Sequence, residues 1–322
     1  MSERRPAAAI VADDGLAAEI KSITVCVCSY RRPELLERLL SALALQRTDG
    51  QFTFSCVVVD NDELATARPV VESLQPSFPV PIQYAVEPVR SFASVRNRAL
   101  SLVRGDHFAF IDDDEVPRED WLIRLWTTLH THGADAVLGP VRPFFEGEPP
   151  SWIVKSRICD RPSHATGRAL HWSETRTGNV LLRTAVVIED GVRFDPKYSI
   201  GGEDVDFFRR AARLGRMFVW CEEAPAYELV PKARMTRRYH LKRALLQGRV
   251  SLQYAQDQPE AKLGTLRVAA KAFTAIALYS CSLPLLFLLG DHCGMKYLIK
   301  NCHHIGRLLA ILGVRHSTTR DC

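Results

Sequence analysis

The sequence predicts an α/β protein with a mostly parallel central sheet and helices on both faces, extended at its C-terminus by a helical, membrane-associated region. Three observations carry this. Short apolar, β-branched runs alternate with helical patterns through the first two thirds of the chain. Several of those runs end in clustered polar residues, where a parallel sheet places its ligands. The net charge of +5 is also unevenly spread: from Pro231 onward 15 Lys and Arg face 4 Asp and Glu, whereas the first 230 residues carry 27 against 33.

Residues 1–21 lack a sustained period and read as a loose lead-in. Ile23 to Cys28 (ITVCVC) is the first strand, and Pro33 opens a helix with Leu35, Leu36, Leu39, Leu40 and Leu43 at helical spacing. Phe54 to Val59 is a second buried strand ending at Asp60, Asn61 and Asp62, and Ile82 to Val86 a weaker third. Val95 to Val103 reads as a helix and His107 to Ile111 as a strand running into Asp112, Asp113, Asp114 and Glu115. Ala136 to Val141, the loop around Trp152 to His171, Thr177 to Arg183, and a helix launched by Gly201, Gly202, Glu203 and Asp204 complete the α/β part.

With 322 residues, 47% of them hydrophobic and 25% charged, the chain can bury a full core and is too long for one minimal domain. The nine cysteines are scattered without metal-finger spacing, and no secretory signal is recognised before the first strand, so reduced thiols of a cytosolic compartment are expected. Cys26 and Cys28 are explained by strand packing, and the ten histidines show no zinc-protease or deaminase spacing.

Four consecutive acids repel one another unless a cation or a solvated turn relieves them. Alternation along a strand end would let Asp112 and Asp114 converge on one divalent metal, with Asp113 turned aside. A solvated acidic turn is the plainer alternative, and context decides between them.

The segments VCVCSYRRPELLERLLSAL, VVVDND and SVRNRALSLVRGDHFAFIDDDE together resemble the start of the family 2 glycosyltransferases, inverting enzymes of the GT-A fold. The resemblance spans residues 22 to 120, with a further motif near 203, and is strongest toward bacterial exopolysaccharide glucosyltransferases of succinoglycan type. It implies a nucleotide-sugar site built from Ser29, Tyr30, Arg31, Asp60, Arg96, Asp112 and Asp113, with Tyr30 against the base, Arg31 near phosphate and Asp60 at the base edge. Asp62 is a neighbour of that edge, and Arg32 reads as solvated. Arg96 and Asn97 match the family's Arg-Asn pair, and Asp112 and Asp114 its D-x-D metal ligands, for Mn²⁺ or Mg²⁺.

The family places a Glu-Asp pair where Glu203 and Asp204 stand, which implies Asp204 as catalytic base and Glu203 as acceptor-orienting; helix capping is the alternative. Thr177 and Asn179 resemble the strand that borders donor sugar and acceptor, although a turn also fits. Trp172, like Trp152, would offer an acceptor-stacking ring, with burial as the ordinary alternative.

Ala272 to Leu289 is free of charge for 18 residues, long enough either to span a bilayer or to lie on it, and Pro284 is expected to break it. Tyr297 to Val314 reads as an amphipathic helix lying on a surface, or as a helix packed on the catalytic domain. Leucines rather than aromatics accompany its basic residues, which favours an anionic membrane surface over nucleic acid. Tyr239, His240, Lys242, Arg243, Gly248 and Arg249 are expected to border pyrophosphate or anionic headgroups.

The expected domain plan is therefore a lead-in at 1–21, a catalytic domain at 22–235 with halves 22–120 and 121–235, and a membrane-associated region at 236–322. The expected reaction moves a sugar, first of all glucose, from a UDP-sugar to a lipid-linked saccharide at the cytoplasmic face of the bacterial inner membrane. A sugar-nucleotide nucleotidyltransferase is the rival enzyme, but SYRRPE offers no glycine-rich phosphate loop. A catalytically silent scaffold of the same fold is the rival from another class.

Overall fold

The computed structural model describes residues 20–198, 201–256 and 261–314. Nearly all of the lead-in therefore lies outside the described residues. The first strands are where the apolar runs place them: β1 (Ser22–Ser29), β2 (Thr53–Asp60), β3 (Ile82–Val86) and β4 (His107–Asp112), joined by α1 (Pro33–Leu43), α2 (Arg68–Leu74) and α3 (Phe92–Leu102). α3 begins before the expected Val95, because Ser91 caps it by accepting from the Ser94 N–H. The short amphipathic α2 has no counterpart among the expected elements.

β5 (Glu115–Pro117) and α4 (Trp121–Thr131) follow, then β6 (Ala136–Leu138) and β7 (Val141–Phe145). The single run expected at Ala136 to Val141 is thus two strands of different sheets, split at Gly139 and Pro140. After α5 (Ser151–Ser156) come β8 (Val180–Arg183), α6 (Ala185–Ile188), α7 (Glu203–Arg213), β9 (Phe218–Trp220) and β10 (Ala226–Val230). Only Val180–Arg183 of the expected Thr177 to Arg183 run is strand.

The main sheet has seven strands in the order β3-β2-β1-β4-β8-β6-β9. Within it β1, β2, β3 and β4 are parallel, and β8 runs antiparallel to both β4 and β6. The chain leaves β1 toward β3 on one side and returns beside β1 as β4, so the switch in strand order falls between β1 and β4. Register brings Ser29 level with Asp60 and Cys28 level with Asp112. The polar ends of three strands therefore meet at one edge.

Alternation along the buried strands feeds two cores. Val25, Val27, Val58 and Ile111 pack with the leucines of α1 and with Trp121 and Trp126 of α4. Cys26, Val57, Val59, Phe108 and Phe110 pack with Phe194, Phe207, Phe208 and Trp220 on the other face. All eight described cysteines are free thiols.

His107, at the start of β4, packs against the adjoining rings of Trp126 and His130 with neither ring nitrogen hydrogen-bonded. Burial, aided by Arg183 and His130, pushes its imidazole down from 6.5 to about 4. The folded chain holds the neutral form, whereas the unfolded chain takes up a proton between those two values. Its contribution to stability is therefore complete above pH 6.5 and is lost as the pH falls toward 4. In urea unfolding, the midpoint of the wild type is expected to fall relative to that of His107→Phe across that window.

A second, three-stranded sheet, β5-β10-β7, covers the edge below the strand ends. Beyond it the chain forms α8 (Arg237–Gln256), α9 (Ala261–Leu288) and α10 (Asp291–Ile311). Met295 of α10 joins Trp152, Ile153, Val230 and Met235 in a third core, which fastens the helices to the α/β part. One face of Tyr297 to Ile311 packs on α8: a Cβ on Gly306 would stand 2.2 Å from the Leu245 carbonyl oxygen, a closeness only glycine permits. Pro284 does not break α9, which runs on to Leu288. Within α9, Thr265–Leu288 is long and apolar enough to cross a membrane and is almost wholly unburied.

Candidate active site

The carboxyl ends of β1, β2 and β4 open into a cleft of about 580 Å³, walled on its far side by the start of α7 and by α8. Asp112 ends β4 and Glu115 begins β5, so the chain changes sheets within the acid run. That turn cancels strand alternation: Asp112, Asp113 and Asp114 all line the cleft, and Asp113 does not turn aside as expected.

Each acid is held differently. Asp113 accepts from the Ser29 hydroxyl at 2.9 Å, from the Tyr30 N–H at 3.4 Å and from Arg32 at 3.0 Å. Burial nevertheless pushes its carboxyl up to about 7 against the pull of Arg32. Asp114 accepts from Arg32 at 3.0 Å and Arg234 at 3.5 Å. The Asp112 side chain is 43% exposed and stands 3.7 Å from Arg96. Guanidinium groups balance Asp113 and Asp114, while Asp112 is also open to solvent.

Arg96 projects from α3 between Asp112 and Glu203, the first residue of α7, and pairs closely with the latter. Glu203 is buried with Oε2 unpartnered, and burial pushes its carboxyl up to about 7 although Arg96 opposes the shift. Asp204 lies beside it at the cleft surface, half-buried, with Oδ1 accepting from the Val205 N–H at 2.8 Å. A capping Gly202 at φ +94° leads into this turn, and three acids in the first turn of α7 suit the helix dipole. Capping and a place in the cleft therefore coexist at Asp204.

Several expected residues lie elsewhere. Arg31 does not face the cleft: its φ of +53° turns it outward onto Asp62 at 3.0 Å, and Arg32, expected in solvent, takes the inward position. Tyr30 does line the cleft, with the Arg90 guanidinium 4.7 Å from its ring centre. Asp60 is fully buried, and its carboxylate accepts from the Asp62 and Ala67 N–H groups and the Tyr84 hydroxyl. Asn61 replaces it on the cleft wall. Asn97 is a brace, bonded both ways to the Phe194 backbone.

Asn179 is corrected in the same way. It is fully buried at φ +56°, where it accepts from Trp121 Nε1 at 2.6 Å and donates to the Pro140 and Ala224 carbonyls at 2.9 and 2.8 Å. Thr177 is buried off the cleft, and Trp172 packs against the second core. Asn179→Ala is expected to cost about 3 kcal/mol of unfolding free energy by stranding three polar groups, read by urea denaturation. Gly178 stays close to the chemistry, since a Cβ there would stand 3.0 Å from Asp112 Oδ2 and 2.8 Å from Glu115 Oε1.

Sequence reasoning missed Arg161, Glu228, Arg234 and Gln247 on the cleft wall, where Tyr239 and Arg243, expected to border pyrophosphate or anionic headgroups, also stand. The spacing of Tyr239, Arg243 and Gln247 at every fourth position was the one available signal, a single polar face of α8.

The donor set suits a hard cation: exposed carboxylate oxygen on Asp112, with Asp114 facing the same space. Among the described residues no group of three or more acids, histidines or cysteines is placed to cage a metal. A cation here would complete its shell with substrate oxygens and water, as Mg²⁺-type sites do.

The family described as glycosyl transferase family 2 matches residues 24–189. The succinoglycan biosynthesis protein ExoM of Rhizobium meliloti (strain 1021) is 36% identical over 273 residues, 82% of this chain and 86% of that protein. Among solved structures, mannosyltransferase PcManGT from Pyrobaculum calidifontis, in complex with GDP-Man and Mn²⁺, superposes with a TM-score of 0.59 at 19% identity, covering 90% of this chain and 88% of that one. S. aureus TarS 1–349 in complex with UDP gives 0.53 at 16% identity, covering 92% and 94%.

Proposed function

Because this chain belongs to glycosyl transferase family 2, and is thus a glycosyltransferase built on the GT-A fold, we propose that it moves a sugar from a UDP-sugar to a lipid-linked saccharide in exopolysaccharide or other surface-glycan synthesis, with inversion. The observation that carries the reading is the convergence of the acid run of β4 with the Arg96–Glu203 pair and the half-buried Asp204 on one cleft. The likeness to ExoM supports an exopolysaccharide setting, and the UDP complex of TarS supports the donor class. Glucose is the first donor sugar to test.

In this reading Tyr30 and Asn61 border the nucleotide base and ribose, and Ser29 and Arg32 hold Asp113 and Asp114 in place. Asp112 and Asp114 would hold the divalent cation, Mn²⁺ or Mg²⁺. When bound, the cation neutralises charge developing on the leaving nucleoside diphosphate. Asp204 takes the proton from the acceptor hydroxyl as that oxygen bonds to the anomeric carbon and the bond to the diphosphate breaks. Arg96 pairs with Glu203 beside it and holds it where it orients the acceptor.

Residues 22–235 are the catalytic unit in this proposal, and 236–322 fix it to the cytoplasmic face of the bacterial inner membrane, where the exposed apolar face of α9 meets lipid. Incubating the purified full chain with Mn²⁺ and a panel of UDP-sugars tests the function. Slow hydrolysis of one donor, accelerated by a membrane extract containing acceptor, is the expected result; no turnover of any donor overturns it.

A further inference from the structure

Past Arg234 the cleft opens into a smaller cavity of about 190 Å³ between β10 and α8. Arg161, Glu228, Arg234, Tyr239, Arg243 and Gln247 border both spaces, so the first C-terminal helix forms a wall common to the two. Cationic groups outnumber the acids free to meet them there. Arg161 and Arg234 share the carboxylate of Glu228. The other acid of Arg161, Glu115, lies at 4.0 Å, and the other acid of Arg234, Asp114, is already held by Arg32.

Arg243 forms no ion pair among the described residues and donates to the Tyr239 hydroxyl at 3.1 Å. Beside it His240, only 7% exposed, lines the cavity with Nε2 unpartnered. On the rim, Asp160 is taken by Arg157 at 2.6 Å. The junction therefore presents more guanidinium N–H groups than its acids can accept from, with Arg243 exposed, an arrangement that phosphate oxygens engage through charge-assisted, often bidentate bonds.

We infer that this junction is an acceptor-anchoring site, which takes the diphosphate group of a lipid-linked acceptor through Arg243, Arg234 and Arg161. The inference rests on the transferase reading and names the group by which that reaction holds its acceptor. The donor diphosphate is assigned instead to the cation side of the cleft at Asp112 and Asp114, and neither of these lines the smaller cavity beyond Arg234. α8 also packs against α9, whose apolar Thr265–Leu288 is the segment that meets lipid in this reading.

The probe is farnesyl diphosphate, titrated against the full chain in phosphatidylcholine vesicles with UDP and Mn²⁺ saturating the donor site. Farnesol serves as the phosphate-free comparison. Binding of the diphosphate at least about tenfold tighter than farnesol is expected, with about tenfold lost in Arg243→Ala and part of it restored in Arg243→Lys. Arg238→Ala, at an exposed α8 residue that lines neither space, is expected to bind as the wild type does.

Equal affinity for farnesol, or competition between the probe and UDP, overturns the inference. So does an Arg243→Ala chain that binds the probe normally while losing affinity for vesicles containing phosphatidylglycerol, since that assigns the site to membrane headgroups. If the wild type turns over no UDP-sugar yet binds the diphosphate as described, the transferase proposal fails and the anchoring site stands.

Discussion

Asp204→Asn is expected to lower sugar transfer by about 100- to 10,000-fold, the range spanned by positioned general bases. Asp204 suits the role through its surroundings. Its neighbour Glu203 is buried and tied to Arg96, whereas Asp204 forms no ion pair among the described residues and stands at the cleft surface. A proton acceptor needs that freedom. Asparagine preserves the size and the oxygen that accepts from the Val205 N–H, so α7 keeps its start and the loss isolates proton acceptance. The loss belongs in kcat, with KM for the donor nearly constant, because the proton moves only in the transition state. Turnover equal to the wild type would remove Asp204 from the mechanism. Glu203→Gln then separates orientation from proton transfer, as the neutral amide loses its charge pairing with Arg96 and is expected to raise KM for the acceptor.

Asp114→Ala is the second large effect, and it acts twice. It removes one of the two carboxylates that would hold the cation, and it takes one acceptor each from Arg32 and Arg234, leaving them Asp113 and Glu228. Transfer is expected to fall by about 1,000-fold, in keeping with the loss of a group that stabilises developing charge. Mn²⁺-dependent UDP binding, followed by titration calorimetry, is expected to weaken with it. Removing one member of a buried charge network also destabilises the fold, by about 3 kcal/mol, so the melting temperature should drop alongside activity. Asp112→Asn provides the contrast. That side chain is nearly half exposed and meets Arg96 only at 3.7 Å, so activity and metal-dependent UDP binding should fall while stability hardly changes. Wild-type metal dependence in both variants would overturn the assignment.

The strands and helices of the first half were legible because their signals are local. ITVCVC, FSCVVV and HFAFI are apolar runs whose two-sided burial needs no knowledge of distant partners, and Pro33 marks its helix start directly. The acids at the ends of those strands were legible for the same reason, since parallel strands in register bring their carboxyl ends together whatever else surrounds them. The split at Gly139 and Pro140 was not legible, because both halves are extended and only the choice of sheet separates them. Pro284 misled because α9 absorbs it, forgoing the one bond an N–H there would give the Ser280 carbonyl and running on to Leu288.

By itself, then, the sequence determined a parallel nucleotide-type sheet, an acid run at its switch point, a Glu-Asp pair at a later helix start, and a basic, apolar tail. Tertiary structure alone decided which charged groups face the cleft. A left-handed turn at Arg31 exchanges the roles of two adjacent arginines. Buried hydrogen bonds commit Asp60 and Asn179 to the scaffold. The fold adds Arg161, Glu228 and Arg234 to the wall on which Tyr239 and Arg243 stand. Strand and helix patterns report the environment averaged over a segment, whereas the direction of one side chain depends on a single backbone angle and on partners tens of residues away.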